Sequence, residues 1–300
     1  YGKRTERMFE SILNSFGRTL LVEPIAPVKD LHKKYNNLSL PDFRVVLEGE
    51  PFPHVEKNCY KKTFLVEVKN YHGDMITKNF YFRKKYFNQL KKYANLVETP
   101  LKIAIYYSKV NMWVLLSPEA FVETRVGFEV EFVEAMKKNE MAFIGDMMIS
   151  CEPNLEIRLE CTILEEQEEN NEVHYSCKID QISIYNNNRK IDDLDSLNFA
   201  FILSVFGQWE HQENISHENN NLIIRNIFEP TERSNNGFYS IGYRSGIASN
   251  FYKSMSQKGQ EIISLPKLDK FPLLPLEKEI KFKDPSFPLW GFRLSPNYKS

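Results

Sequence analysis

The sequence lacks the patterns that mark membrane-spanning, secreted and zinc-binding proteins. No apolar run approaches the roughly 18 residues that a membrane helix needs, and no apolar signal-peptide segment follows the opening residues. The cysteines form no CxxC pair, which argues against zinc and iron–sulfur sites. They are Cys59, Cys151, Cys161 and Cys177. We therefore expect a cytoplasmic protein with no membrane partner and with isolated, reduced thiols.

Net charge is nearly absent from the whole chain, but not from its halves. The 300 residues carry 39 basic and 40 acidic side chains. Residues 1–120 hold 20 basic and 12 acidic side chains, a net charge of +8, whereas residues 121–300 hold 19 and 28, a net charge of −9. A basic segment suits a partner that carries phosphate. A chance scatter of solvated charges explains the same counts equally well.

The first half alternates helical and strand patterns in a definite order. Apolar residues at helical spacing predict a helix over residues 5–15. The later segments are predicted as strands at 19–23, 41–47 and 62–70, a basic helix from 77 to about 97, and strands at 101–107 and 111–116. The predicted order is helix, three strands, helix, strand, with one more strand pairing on.

Two acids and a lysine stand on the predicted strands. Asp42 opens the second strand, and Glu67 and Lys69 lie two apart on the third. Side chains alternate along a strand, so Glu67 and Lys69 project from one face. Carboxylates of this kind bind Mg²⁺ or Mn²⁺, and a nearby lysine orients an attacking water. The sequence predicts a hydrolytic site here; the alternative is an ordinary solvated ion pair.

Pro41-Asp42 followed by Glu67-Val68-Lys69, within αβββαβ order, resembles the PD-(D/E)xK nuclease superfamily over about residues 2–116. The resemblance implies an α/β, restriction-endonuclease-like core with a mixed sheet. It also implies a metal-dependent endonuclease that hydrolyses phosphodiester bonds, with DNA favoured as the substrate. Two-domain members often serve in restriction or antiviral defence, and we expect such a role here.

The same resemblance assigns roles to individual residues. Asp42, Glu67 and the carbonyl of Val68 would hold the divalent ion, Mg²⁺ or Mn²⁺, and Lys69 would orient the nucleophilic water. Members often carry a glutamate on the first helix that points at the same metals, and Glu6 matches that position.

The basic helix supplies candidate nucleic-acid contacts. Family members often carry a glutamine or a basic residue there, which is matched by Gln89, Lys84 or Lys85. Non-specific phosphate contacts are expected from Lys84, Lys85, Lys91 and Lys92. The loop at 50–62 either touches nucleic acid or is plain surface; its candidates are His54, Lys57, Lys61 and Lys62.

The sequence pattern of residues 121–300 predicts a second domain of α+β or β-rich type that binds substrate, a regulator or a protein partner. Its predicted elements are a helix at 129–139, strands at 141–144, 155–164 and 173–185, an acidic turn at 165–171 and a buried helix at 194–206. A cluster of basic and aromatic residues suits either a nucleic-acid surface or ordinary packing. Its members are Arg225, Arg233, Arg244, Lys253, Tyr239, Tyr243 and Tyr252.

Three interpretations therefore compete. The first is a metal-dependent nuclease, and the second is a non-catalytic nucleic-acid-binding or assembly subunit that keeps the nuclease fold. The third is a globular protein with a coincidental motif. The presence of Glu6, Asp42, Glu67 and Lys69 together favours the first.

Overall fold

The computed structural model describes residues 2–26, 37–48, 63–218, 220–231, 239–259, 261–267 and 284–297. The predicted loop at 50–62, with its candidate contacts and Cys59, lies outside these ranges, as does Arg233. The described residues fall into two compact units. The first lies within Tyr1–Met147, Tyr243–Lys278 and Arg293–Ser300, and the second within Met148–Gly242 and Glu279–Phe292.

A mixed five-stranded sheet forms the centre of the first unit. The elements of this part are α1 (Gly2–Ser15), β1 (Thr19–Pro24), β2 (Phe43–Leu47), β3 (Thr63–Tyr71), β4 (Phe80–Arg83), α2 (Lys84–Leu96), β5 (Leu101–Tyr107) and β6 (Met112–Leu116). The sheet order is β1-β2-β3-β5-β6. The β3–β5 pair is parallel, and the other neighbours are antiparallel. The predicted α/β core with αβββαβ order and a mixed sheet is confirmed.

The second helix begins later than the sequence predicted. Residues 80–83 form strand β4, in which Phe80 and Phe82 are buried while Tyr81 and Arg83 are exposed. This period of two is the strand repeat, and β4 pairs antiparallel with residues 127–130. The predicted helix start at residue 77 is wrong because aromatic side chains at alternate positions bury against that partner strand.

The remaining elements follow in chain order. They are β7 (Val122–Glu123), β8 (Gly127–Val130), α3 (Phe132–Lys137), β9 (Met148–Cys151), β10 (Leu155–Glu169), β11 (Glu172–Asn186), β12 (Arg189–Lys190), α4 (Leu194–Phe206), β13 (Trp209–Glu218), β14 (Asn221–Pro230), β15 (Tyr239–Tyr243), α5 (Arg244–Ser256), β16 (Gln257–Lys258), β17 (Glu261–Ile262) and β18 (Leu289–Phe292). The predicted strand at 141–144 is instead a 3₁₀ turn. The predicted helix at 129–139 begins only at Phe132, after β8.

Helices cover both faces of the central sheet. On one face, Phe87 and Leu90 of α2 join a buried cluster with Leu65, Ile103 and Ile105 of the sheet. On the other face, α1 and α5 pack together. The ring of Phe9 lies 5.0 Å from that of Trp113, whose Nε1 donates a hydrogen bond to Ser249 Oγ at 2.9 Å. Helix α5, far along the chain from Trp113, therefore completes the core of the first unit.

Arg244 belongs to this packing. Its side chain is fully buried, its guanidinium lies 4.3 Å from the centroid of the Phe16 ring, and it donates to the Gly145 carbonyl at 3.2 Å. Of the two interpretations of the basic and aromatic cluster, packing holds for Arg244.

The second unit is rich in strands, as predicted. Its sheets have the orders β12-β11-β10-β14-β13 and β15-β9-β18. The predicted acidic turn is mostly strand, and the chain reverses at Asn170 and Asn171, which both adopt positive φ. Helix α4 has its predicted bounds, but Phe201 and Val205 on it are exposed, so it is not wholly buried.

Within the described ranges, no helix is long and apolar enough to cross a membrane. Three of the cysteines, Cys151, Cys161 and Cys177, are free thiols.

Candidate active site

Strand pairing places Asp42 across from Glu67. In the antiparallel pair β2–β3, Phe43 faces Val66 and Arg44 faces Leu65. One further step along that register puts Asp42, directly before β2, opposite Glu67. Asp42 Oδ2 accepts a hydrogen bond from the backbone N–H of Val68 at 2.7 Å. The two halves of the motif are therefore brought together by the register of two neighbouring strands.

Glu67 is a buried carboxylate with all its described partners on one oxygen. Its residue is 1% exposed. Glu67 Oε1 forms an ion pair with Lys69 Nζ and accepts a hydrogen bond from the Tyr86 hydroxyl at 2.5 Å. Lys69 Nζ also lies 5.3 Å from the centroid of the Tyr86 ring. As expected from strand alternation, Glu67 and Lys69 share a face of β3.

Tyr86 is the site residue that the sequence did not reveal. The resemblance directed attention to a glutamine or lysine on α2, whereas the α2 side chain bonded to Glu67 is a tyrosine. The sequence predicted that this helix begins at residue 77. Its actual start at Lys84 places Tyr86 in the first turn of α2 and would have pointed to it.

The oxygen atoms of Asp42, Glu67 and Val68 form a donor set that suits a divalent metal ion. Glu67 Oε2 is buried and has no hydrogen-bond partner among the described residues. Across those residues, no three His, Cys, Asp or Glu side chains converge closely enough to hold a metal together. Asp42 and Glu67 offer two carboxylates and Val68 a carbonyl. Mg²⁺ usually takes one or two carboxylates and completes its shell with waters and substrate oxygens, so this donor set suits it.

The electrostatics of the site point the same way. Burial, followed by the negative charge of Glu67, raises the pKa of Asp42 to about 7, although the Val68 N–H bond opposes the shift. Glu6 adds a smaller upward effect. Burial and the charge of Glu67 also raise the pKa of the Tyr86 phenol, which therefore stays a donor. A bound cation would relieve the repulsion between the carboxylates.

Glu6 lies close enough to interact electrostatically with Asp42 and Tyr86. It is partly exposed on α1. The structure thus places Asp42, bonded to the Val68 N–H, next to the ion pair of Glu67 and Lys69, and leaves Glu6 at the margin of this group.

The predicted nucleic-acid contacts on α2 have different surroundings. Lys84 Nζ pairs with Glu123 at 2.5 Å, and Gln89 accepts a hydrogen bond from Ser39 Oγ at 3.1 Å. Lys85 and Lys92 are exposed, and Lys91 is partly exposed. A cavity of about 450 Å³ opens beside Lys69 and Tyr86, with Arg83 and Asn79 at its walls.

Neither a family model nor a curated protein matches this chain. Among solved structures, Hjc, a Holliday junction resolvase from the archaeal hyperthermophile Archaeoglobus fulgidus, is similar to part of it, with 13% sequence identity and a TM-score of 0.30. The match covers 41% of this chain and 84% of the resolvase. The fold class follows from the strand order and pairing described above.

Proposed function

We propose that this chain is a metal-dependent nuclease that hydrolyses phosphodiester bonds in nucleic acid, with DNA as the favoured substrate. The observation that carries the proposal is the strand register that sets Asp42 against Glu67, whose second carboxylate oxygen is buried without a described partner. An ordinary solvated ion pair between Glu67 and Lys69 would not need a carboxylate that is 1% exposed. Burying such a group with half its acceptors unpaired is costly unless a ligand completes it.

Each residue then has a role that its surroundings support. Asp42, Glu67 and the carbonyl of Val68 hold Mg²⁺ or Mn²⁺, which when bound neutralises charge on the phosphate group. Lys69 orients the attacking water and stabilises the developing negative charge. Tyr86 holds Glu67 in place through its hydroxyl. Hydrolysis consumes one water and yields a phosphate monoester and a hydroxyl end.

Glu6 and the α2 lysines have outer roles in this proposal. Glu6 would reach the metal through water or help to hold a second ion. Phosphate contacts come from Lys84, Lys85, Lys91 and Lys92, and Gln89 lies on the same helix. A role in restriction or antiviral defence stays a prediction from the resemblance.

The test is a cleavage assay on labelled single- and double-stranded DNA and RNA, with Mg²⁺ or Mn²⁺ against EDTA. We expect metal-dependent cleavage that falls by at least about 100-fold in Asp42→Ala and Lys69→Ala, since removing such groups typically has effects of this size. Glu23→Ala is the matched control, because Glu23 forms an exposed ion pair with Arg44 on the same sheet.

A melting experiment separates the rival interpretations. Mn²⁺ is expected to raise the melting temperature of the wild-type chain but not that of Asp42→Ala. In the cleavage assay, wild-type rates in both Asp42→Ala and Lys69→Ala would refute the proposal. Binding of nucleic acid without cleavage under any metal condition would instead support a non-catalytic binding subunit.

A further inference from the structure

A second cavity, of about 490 Å³, lies in the first unit between α1, the ends of β3 and β5, and the segment that contains α5. Its lining includes Arg4 of α1, Asn70 of β3, His72 directly after β3, Ser108 directly after β5, and Lys253 of α5. Helix α5 lies outside the αβββαβ core, so the motif provided no indication of this cavity.

The cavity has two cationic side chains, and no carboxylate is among its described lining residues. In the described part of the chain, neither Arg4 nor Lys253 takes part in an ion pair. Lys253 Nζ donates a hydrogen bond to Asn111 Oδ1 at 3.1 Å and lies 5.2 Å from the centroid of the Tyr106 ring. Burial, with the positive charge of Arg4, lowers the pKa of Lys253 to about 8. Two cations held together without a counter-charge are costly to keep unless an anion joins them.

Polar groups complete the wall between the two cations. His72 Nδ1 lies 2.6 Å from Ser108 Oγ, and His72 Nε2 lies 3.0 Å from Asn70 Nδ2. Asn70 Oδ1 is buried and has no hydrogen-bond partner in the described ranges. A buried amide oxygen only accepts hydrogen bonds, so Asn70 Oδ1 marks a place for a water that donates to it and bridges to a phosphate oxygen.

We propose that this cavity binds a phosphate group of the nucleic-acid strand that occupies the candidate active site. Asn70 directly follows Lys69 on β3 and lines both this cavity and the cavity beside Lys69 and Tyr86. The two cavities therefore share a lining residue at the end of β3. The choice of a strand as the source of the phosphate rests on the proposed function, whereas the preference for a phosphate anion rests on the cavity alone.

The first experiment measures binding of a fluorescent oligonucleotide, single- or double-stranded, to the full chain in EDTA at low salt. We expect Arg4→Gln and Lys253→Met each to weaken binding about tenfold, the effect of removing one charge-assisted hydrogen bond to phosphate. The control is Lys258→Gln, since Lys258 is exposed on β16, near α5, and is not among the residues that line the cavity. It is expected to change the affinity less than about twofold.

A second measurement distinguishes ligand binding from packing. If Lys253 binds an anion, Lys253→Met removes a buried charge and raises the melting temperature of the free protein while it weakens strand binding. A structural lysine would show the reverse, with a lower melting temperature. Equal strand affinity in Lys253→Met and Lys258→Gln, or a lower melting temperature in Lys253→Met, would overturn the inference.

A competition arm identifies the source of the phosphate. Thymidine 5′-monophosphate and inorganic phosphate are titrated against the bound strand, with 5′-phosphorylated and 5′-hydroxyl oligonucleotides compared. Competition, together with tighter binding of the phosphorylated strand, indicates a terminal phosphate. Weaker binding in Lys253→Met without either effect indicates an internal phosphodiester. Both results support the inference.

The inference and the proposed function fail in different ways. If the chain binds strands through Lys253 but never cleaves them with Mg²⁺ or Mn²⁺, the inference about the cavity stands and the proposed nuclease function is refuted. If the chain cleaves strands and its Lys253→Met variant binds and cleaves like wild type, the nuclease function stands and the inference about the cavity is refuted.

Discussion

At the scale of single residues, the geometry of the candidate site depends on the hydrogen bonds that hold Glu67. One of its oxygens receives both Lys69 and Tyr86, and the other is buried without a described partner. Because a buried carboxylate loses its hydration, each donor that remains matters more than it would at the surface. Tyr86 is the neutral member of this group, and its hydroxyl is the atom bonded to Glu67.

Tyr86→Phe is expected to lower the free energy of unfolding by about 1–3 kcal/mol, the cost of removing one of the two donors to a buried carboxylate oxygen. Urea denaturation without metal measures this. Tyr81→Phe is the matched control, since it removes the same hydroxyl from an exposed residue that donates to the Val126 carbonyl at 2.8 Å. An equal loss in both variants would show that Glu67 does not depend on Tyr86.

The sequence identified Asp42, Glu67 and Lys69 but not Tyr86, and the reason is physical. Alternation along a strand is a local rule, so Glu67 and Lys69 could be placed on one face from their spacing alone. The position of Tyr86 depends on where α2 begins, and that is set by β4 pairing with β8 more than 40 residues later. No local pattern contains that information.

At the scale of elements, α5 takes its N-terminal cap from a distant part of the chain. Asp146 is 4% exposed; its Oδ1 accepts from the Ser245 N–H at 2.9 Å, and its Oδ2 accepts from Ser245 Oγ at 2.6 Å. The residue directly before the helix, Tyr243, makes no side-chain cap. Asp146 therefore does for α5 what an Asp or Ser usually does from the adjacent position.

This cap makes stability depend on pH. Burial raises the pKa of Asp146 to about 6 despite its hydrogen bonds to Ser245. The folded state thus holds the proton more tightly than the unfolded state, where the pKa is about 3.9. The resulting stabilisation is present below about pH 4 and is lost as the pH rises through 6.

The Asn side chain of Asp146→Asn cannot ionise. Between pH 4 and pH 7.5 the free energy of unfolding of the wild type should therefore fall by about 2–3 kcal/mol relative to that of this variant. Urea denaturation across that range measures the difference. Asp180→Asn is the control, because Asp180 lies at the surface and its hydrogen bond from Thr162 lowers its pKa. A wild-type-to-variant difference that stays constant with pH would contradict the prediction.

The exposed lysines of α2 offer a second element-scale prediction. The double variant Lys85→Gln, Lys92→Gln should weaken nucleic-acid binding similarly for all sequences. It should also reduce the slope of log affinity against log salt by about 2, because each lysine that neutralises a phosphate contributes about one unit. Titrations at several salt concentrations measure this, with Lys178→Gln, an exposed lysine of β11, as the control. An unchanged slope would remove α2 from the interface.

At the scale of the whole molecule, the first unit is discontinuous in sequence. The sequence predicts a domain boundary at residue 120, whereas the compact unit that carries the candidate site also uses residues 121–147 and 243–256. Charge counts and periodicity describe continuous stretches of chain, so they could not show that α5 covers Trp113. The αβββαβ core was predictable because its elements follow one another in sequence. The roles assigned to the two domains stay predictions.

A chain that ends at residue 147 should not fold stably, because Trp113, which is 1% exposed, would lose the helix that covers it. Trp113 is the only tryptophan in such a fragment, so red-shifted emission and iodide quenching report on it directly. The comparison is a chain that keeps α5, has a short linker in place of residues 148–242 and carries Trp290→Phe, so that Trp113 is again its only tryptophan; there, Trp113 should stay protected. Equal protection in both would show that α5 is dispensable.

The pairing of Asp42 with Glu67 through the β2–β3 register has an evolutionary consequence. The separation of the two carboxylates is set by their positions in two paired strands, so chain length inserted between residues 48 and 63 leaves them opposite each other. A single-residue deletion inside β2, by contrast, would shift the register and turn its side chains to the opposite face. Homologous sites should therefore tolerate wide variation in motif spacing and almost none in strand length. Relatives are therefore expected to keep Asp42 and Glu67 on the same faces of their two strands. The number of residues between Asp42 and Glu67 is expected to vary.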